Sequence, residues 1–99
     1  MLSLKELLTK MILTTTRENI SLGTIAAQGY AASSKTITRA GYVPIGVIGF
    51  QVTSSYIFIP RVELSAASSG SGTISYEVRN TANGSATVSM NVDVLWRKA

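Results

Sequence analysis

The stretch ATVSMNVDVLW, residues 86–96, constrains the fold of this chain most, because it alternates apolar and polar side chains. A period of two residues places successive side chains on opposite faces of a β-strand. The stretch TISYEVR, residues 73–79, repeats the pattern. One apolar face and one polar face are typical of antiparallel sheets that cover a core on one side. The inward faces are predicted to hold these residues: Ile74, Tyr76, Val78, Val88, Met90, Val92, Val94 and Trp96.

The rest of the chain after residue 12 also has the composition of strands, separated by turn-forming residues. An extended segment at 13–18 leads into four further predicted strands, at 19–26, 34–40, 41–52 and 56–64. The sequences SSGSG and Asn83-Gly84 predict hairpin connections, so the last three strands are expected to form a meander. The prediction is one all-β domain at residues 13–99, an antiparallel, jelly-roll-like β-sandwich of about six strands.

Residues 1–12 predict a short amphipathic helix ahead of that domain. Ser3 and Glu6 form an S-x-x-E capping box. The apolar residues that follow share one face of the helix: Leu4, Leu7, Leu8, Met11 and Ile12. So short a helix is marginal alone in water. Its apolar face is therefore expected to pack on the domain's own sheet or in a bundle with sister chains.

The stretch GYVPIGVIGFQV, residues 41–52, raises a second question of burial, because it carries apolar residues on both faces. If it forms a hairpin with residues 56–64, the outer face of that hairpin collects five apolar side chains: Val43, Ile45, Val47, Ile57 and Ile59. Their burial would contribute roughly 10 kcal/mol as an upper bound, and so large an exposed patch is unusual on a monomer. The possible covers are the helix, another layer of the protein's own strands, or a second copy. The predicted oligomer interface joins these five to four helix residues: Leu4, Leu7, Leu8 and Met11.

The composition argues against several classes of function. There is no cysteine and no histidine, so neither a cofactor nor a metal site is expected. The net charge of +4 is dispersed along the chain, whereas nucleic-acid-binding proteins cluster their basic residues; no nucleic-acid partner is expected. Outward carboxylates at Glu63, Glu77 and Asp93 could approach one another across a sheet, but solvated surface charges are the simpler interpretation. We expect no enzymatic activity.

The sequence also bears on location. No stretch approaches the roughly 18 apolar residues of a membrane span, and no membrane partner is expected. Lys5, Glu6 and Lys10 interrupt any apolar core of a signal peptide. The chain is therefore expected to be made without a signal peptide and kept in a cytoplasm, from which cell lysis could still release it as part of a particle.

A glycan-binding surface is a separate hypothesis. Such surfaces need exposed aromatic rings beside amides and hydroxyls. Tyr30 and Tyr56 are predicted in or beside loops, with Asn83 and Gln28 as possible amide partners. The candidate glycan contacts are Tyr30, Tyr56 and Asn83.

A short leading helix and Ser/Thr-rich strands precede the sequence G-Y-x-P-I-G-V, formed by Gly41, Tyr42, Pro44, Ile45, Gly46 and Val47. This order resembles the small terminal domains of bacteriophage and prophage proteins, which are tail-fibre or minor structural proteins of phages of Gram-positive hosts. The spacing from Asn80 to Trp96 is similar to the way those domains end. The resemblance spans about residues 13–98. It implies a β-sandwich head, usually on a trimeric fibre, that contacts a host surface or another virion part, and it brings no catalytic residues.

We therefore expect a non-enzymatic virion structural protein, a homo-oligomer with a trimer favoured. Its expected partners are sister chains and other virion proteins, with a host cell-surface glycan as a further candidate. The alternative is a monomeric carbohydrate-binding module.

Overall fold

A computed structural model of the chain describes residues 13–52 and 54–99, which form six antiparallel strands and no helix. The strands are β1 (Leu13–Ile25), β2 (Tyr30–Thr38), β3 (Tyr42–Val52), β4 (Ile57–Ser68), β5 (Ser71–Asn80) and β6 (Ala86–Lys98). They form two three-stranded sheets: sheet A has the order β1-β6-β3, and sheet B has the order β2-β5-β4. The prediction of an all-β fold with six antiparallel strands is confirmed. The helix predicted at residues 1–12 lies outside the described residues.

The core lies between the two sheets, and the central strands β5 and β6 contribute most of it. Alternate residues of these strands are buried, as the period of two predicts. The buried apolar residues are Ile20, Leu22, Ile25, Ile37, Ile57, Ile74, Tyr76, Val78, Met90, Val92, Val94 and Trp96. The predicted inward faces of β5 and β6 are confirmed, with Val88 half-buried against the core.

The connections differ from the predicted meander. Among the six described strands, only β4 and β5 form a hairpin within one sheet, through Ser69 and Gly70, where Gly70 adopts a positive φ of 82°. Each of the other four connections carries the chain from one sheet to the other. The segment around Asn83-Gly84 therefore links β5 of sheet B to β6 of sheet A and is no two-residue hairpin.

The predicted hairpin between residues 41–52 and 56–64 is also wrong, because β3 belongs to sheet A and β4 to sheet B. Two bulges explain why simple alternation fails along β3. In the pairing of β3 with β6, Ile45 and Ile48 have no partner residue of their own. Each of these two bulges shifts the alternation of inward and outward side chains by one residue. Pro44 and Val47 thus lie opposite the buried residues Trp96 and Val94.

A bulge in β4 has the same effect. The register against β5 runs from Phe58 opposite Arg79 to Arg61 opposite Glu77, so that Ile59 and Pro60 together oppose Val78. Ile57 is buried in the core and Ile59 packs against it. The single outer patch predicted from Val43, Ile45, Val47, Ile57 and Ile59 is therefore not formed, because Val47, Ile57 and Ile59 face the interior of the protomer.

The antiparallel strands give the molecule two distinct ends. Residues 26–29, 54–56 and 81–85 connect strands at one end, which we call the loop end. At the other end, Leu13 lies opposite Arg97 and Tyr42 opposite Lys98, and the Ala99 amide donates to the Gly41 carbonyl at 2.9 Å. The two ends are separated by the length of β1, which is about 40 Å for 13 extended residues.

Candidate functional site

The loop end is built around the buried side chain of Asn80, the last residue of β5. Its amide nitrogen donates to the carbonyls of Ile25, Ala26 and Gly84 at 3.0–3.2 Å, and its amide oxygen accepts from the Ala82 nitrogen at 2.9 Å. One amide thereby joins the end of β1, the β1–β2 turn and the β5–β6 loop. These contacts fix the loops that surround the candidate site.

Three further hydrogen bonds join the loops of this end to one another. The Gln28 side chain donates to the Thr81 carbonyl at 2.8 Å and to the Asn83 amide oxygen at 3.4 Å. The Thr81 amide donates to the Tyr56 carbonyl at 2.9 Å. All three loops of this end are therefore tied to one another through backbone and amide groups.

An aromatic row crosses the outer face of sheet B beside these loops. Tyr30 on β2 and Phe58 on β4 both lie opposite Arg79 on the central strand β5. Directly opposite residues in antiparallel strands have Cβ atoms about 5 Å apart. The three residues therefore form one row, with Arg79 at its centre.

The rings of this end are open to solvent. Tyr30 is 59% exposed, Phe58 57% and Tyr56 60%. Tyr56 lies in the β3–β4 connection, whose backbone is held to Thr81. Exposed aromatic rings at an ordered end of a sheet offer apolar contact area that costs little conformational entropy on binding.

The next row of sheet B is charged. Arg61 lies 3.6 Å from the Glu77 carboxylate and 3.0 Å from that of Glu63. The pKa of the Tyr30 phenol is raised, first by partial desolvation and then by the neighbouring Glu77 carboxylate, although the side chain as a whole is exposed. Tyr30 therefore keeps its proton, and with it a hydrogen-bond donor, throughout the physiological range.

The structure brings the three predicted glycan contacts to the same end of the molecule. Tyr30 begins β2, Tyr56 precedes β4 and Asn83 lies in the β5–β6 loop. Asn83 is exposed, but its amide oxygen is engaged by Gln28.

Phe58 and Arg79 were missed as members of this site. No sequence signal reveals the bulge that follows Phe58. The position of Arg79 between Tyr30 and Phe58 depends on strand pairing. Pairing across β2, β5 and β4 is not encoded in any local pattern.

The predicted interface residues are divided among several places. Leu4, Leu7, Leu8 and Met11 lie outside the described residues. Val47, Ile57 and Ile59 pack against the core. Val43 and Ile45 remain on or beside the outer face of sheet A, since Val43 lies opposite the exposed Arg97 and Ile45 is 45% exposed at its bulge.

Other exposed apolar residues adjoin Val43 and Ile45. Leu13 is 44% exposed opposite Arg97, Ile48 is 58% exposed at the second bulge, and Leu95 is half-buried on β6. Gly46 and Gly49 lie along the same strand, and a Cβ at Gly46 would meet nothing within 4 Å. We call this surface the sheet A strip; it consists of Leu13, Val43, Ile45, Ile48 and Leu95.

The three outward carboxylates do not share one face. Glu63 and Glu77 lie on sheet B, where both contact the Arg61 guanidinium, while Asp93 lies on sheet A and accepts from the Arg17 guanidinium at 3.0 Å. Asp93 and the two glutamates are therefore on opposite outer faces. Within residues 13–52 and 54–99, no group of three or more acidic side chains is placed to hold a metal ion.

The chain matches no known protein family, no curated protein and no solved structure in the comparisons made. In the part of the chain that the structure describes, there is no helix of the length and apolar character needed to cross a membrane.

Proposed function

We propose that this chain is a non-enzymatic attachment domain that binds a surface glycan through the loop end of sheet B. The observation that carries the proposal is the row of Tyr30, Arg79 and Phe58, with exposed rings at the end farthest from Leu13 and Ala99. A domain attached to a larger assembly near Leu13 or Ala99 would present this row outward. That arrangement suits the tip of a bacteriophage fibre, the class of protein that the sequence resembles.

The connections between strands support a β-sandwich of the jelly-roll type. Four of the five connections cross between the sheets, and these crossings and the orders β1-β6-β3 and β2-β5-β4 agree with a jelly roll shortened to six strands. Jelly rolls occur in viral capsid proteins and in lectins. Because one fold supports many functions, this likeness agrees with the proposal, and the side chains of the loop end carry it.

The chemistry of the row fits a saccharide. The C–H face of a pyranose ring is apolar and packs flat on an aromatic side chain, while its hydroxyls need polar partners. Tyr30 and Phe58 supply the rings, and Arg79, Glu77 and the Tyr30 phenol supply donors and acceptors. Each group lies at a paired position of a strand, so the surface is formed before any ligand arrives.

A glycan array tests this function. The wild-type chain should bind a subset of glycans, and Tyr30→Ala or Phe58→Ala should each weaken binding about tenfold or more, because a stacking ring is lost. Ile48→Ala is the matched control, since it removes an equally exposed apolar side chain from sheet A. Failure to bind any glycan, or equal loss in the control, would contradict the proposal.

A second candidate function, homo-oligomeric assembly, is favoured by the sheet A strip. Leu13, Ile45 and Ile48 are exposed on one side of the molecule, and the open space over Gly46 leaves room for close approach of another chain. Exposed apolar residues grouped in this way commonly mark an interface between proteins. We propose the strip as the contact in a homo-oligomer, with a trimer as the preferred order.

Sedimentation velocity at micromolar concentration tests the assembly. An oligomer is expected for the wild-type chain, and Ile45→Asp or Ile48→Asp should shift it to monomer, since each buries a charge in the contact. Phe58→Asp is the control, because it places the same charge on sheet B. A monomeric wild-type chain removes assembly as a function while leaving glycan binding untouched.

A further inference from the structure

We propose that the saccharide bound at the loop end carries a carboxylate, and that Arg79 recognises that group. This inference rests on the proposed glycan-binding function and specifies the class of its ligand. It follows from how the charges of sheet B are arranged around the aromatic row.

Arg79 is exposed in the centre of the row and forms no salt bridge within residues 13–52 and 54–99. In the same part of the chain, Arg17 and Arg61 on the outer faces are each paired with a carboxylate. The guanidinium of Arg79 therefore retains its donors for a ligand. Five N–H groups in a planar fork match the two oxygens of a carboxylate.

The charge distribution on either side of Arg79 favours an anion on the loop side. The turns at residues 26–29, 54–56 and 81–85 contain no aspartate or glutamate. On the other side, Glu77 and Glu63 share Arg61. A ligand carboxylate next to Arg79 thus meets an unpaired cation with no opposing carboxylate toward the loops.

The flanking rings select a saccharide over a simple anion. Tyr30 and Phe58 lie on either side of Arg79, so a ligand that pairs with the guanidinium also covers an aromatic face. An apolar ring face next to a carboxylate is the chemistry of a uronic acid. An acidic peptide has the carboxylate without a flat apolar ring face, so it would use only part of this surface.

Matched neutral and acidic oligosaccharides test the inference by calorimetry. Trigalacturonate and its methyl ester have the same rings and differ in charge. Wild-type protein is expected to bind the acid at least about tenfold more tightly, since a hydrogen bond to a charged group is worth more than one to a neutral group. Added salt should reduce this preference, because the pair is solvent-exposed.

Two arginine variants provide the internal comparison. Arg79→Gln should abolish the preference for the acid, because it should weaken binding of the acid much more than binding of the ester. Arg17→Gln changes the net charge equally on the opposite sheet and should leave the preference intact. Loss of the preference in both variants would overturn the role of Arg79, because it would reflect net charge alone.

The remaining outcomes distinguish this inference from the function on which it rests. If acid and ester bind equally and still require Tyr30 and Phe58, the carboxylate inference is overturned while glycan binding stands. If no saccharide binds, both are overturned. If polyglutamate binds as tightly as trigalacturonate, the surface is a general anion site, which overturns the inference of a saccharide ligand.

Discussion

Asn80 is the residue on which the order of the loop end most depends. Its fully buried side chain bonds to three carbonyls and one amide of two connecting segments and the end of β1. Polar groups buried in this way are costly when they lose a partner. The same side chain therefore contributes to stability and to the placement of the loops around the aromatic row.

Replacing Asn80 by alanine should destabilise the protein by about 2–4 kcal/mol, because several buried backbone groups lose their partner at once. Chemical denaturation followed by Trp96 fluorescence measures the change. Asn83→Ala is the control, and its effect should stay below about 1 kcal/mol, since that side chain is exposed and makes one long hydrogen bond. Equal effects in the two variants would show that burial of Asn80 is unimportant.

The titration of Tyr30 reports on its surroundings. Its pKa is raised above the ordinary tyrosine value of about 10, first by desolvation and then by Glu77. The neutral phenol is therefore favoured in the folded state. That contribution is fully present below the unfolded pKa and is lost as pH rises through the folded pKa.

A difference titration of phenolate absorbance, wild type minus Tyr30→Phe, should place Tyr30 above the ordinary range. Glu77→Gln should lower its pKa only in part, because desolvation, the largest single cause, remains. A return to the ordinary value in Glu77→Gln would make the carboxylate the dominant influence and contradict this ordering of causes.

At the scale of elements, the sequence predicts strands well and their faces only where the alternation is unbroken. The regular strands β5 and β6 have the predicted buried faces. In β3 and β4, bulges at Ile45, Ile48 and Ile59–Pro60 shift the phase, so residues predicted outside turn inward. Residues 41–52 carry apolar side chains on both faces of a strictly alternating strand because those bulges shift the alternation. A period of two alone does not show where the bulges lie.

The approach of the two sheets at Gly72 gives a test at this scale. A Cβ on Gly72 of β5 would lie 2.6 Å from the Pro44 ring of β3 and 3.1 Å from a methyl group of Leu64. Gly72→Ala should therefore destabilise by about 1–3 kcal/mol through overpacking.

Gly46→Ala is the matched control for that substitution, because a Cβ there meets nothing within 4 Å. Its melting temperature should equal or slightly exceed that of the wild type, since alanine restricts the unfolded chain more than glycine does. A lower melting temperature for Gly46→Ala than for Gly72→Ala would contradict the close contact between Pro44 and Gly72.

At the scale of the whole molecule, the arrangement of strands could not be predicted from the sequence. Local patterns indicated that residues 73–79 and 86–96 are strands, but not that they belong to different sheets. The sheet to which each strand belongs depends on how the buried faces of all six strands pack together in one core. The candidate site shows the same limit, since Tyr30 and Tyr56 were predicted from their positions near turns while Arg79 required the pairing of three strands.

Because one core joins both sheets, unfolding should be a single cooperative transition. Trp96 lies in sheet A, while far-ultraviolet circular dichroism reports on both sheets. In urea the two signals should change at the same midpoint. Separate midpoints would mean that the sheets unfold independently, and the single core would not then govern stability.

The pairing of β1 with β6 has a consequence for synthesis in the cell. Sheet A is made of β1, β6 and β3, with β6 at its centre. During translation, β1 and β3 emerge from the ribosome before their shared neighbour exists, and contacts so distant in sequence form slowly. The nascent chain must therefore keep the edges of β1 and β3 unpaired until β6 has left the exit tunnel, and the emergence of β6 is the step that permits closure.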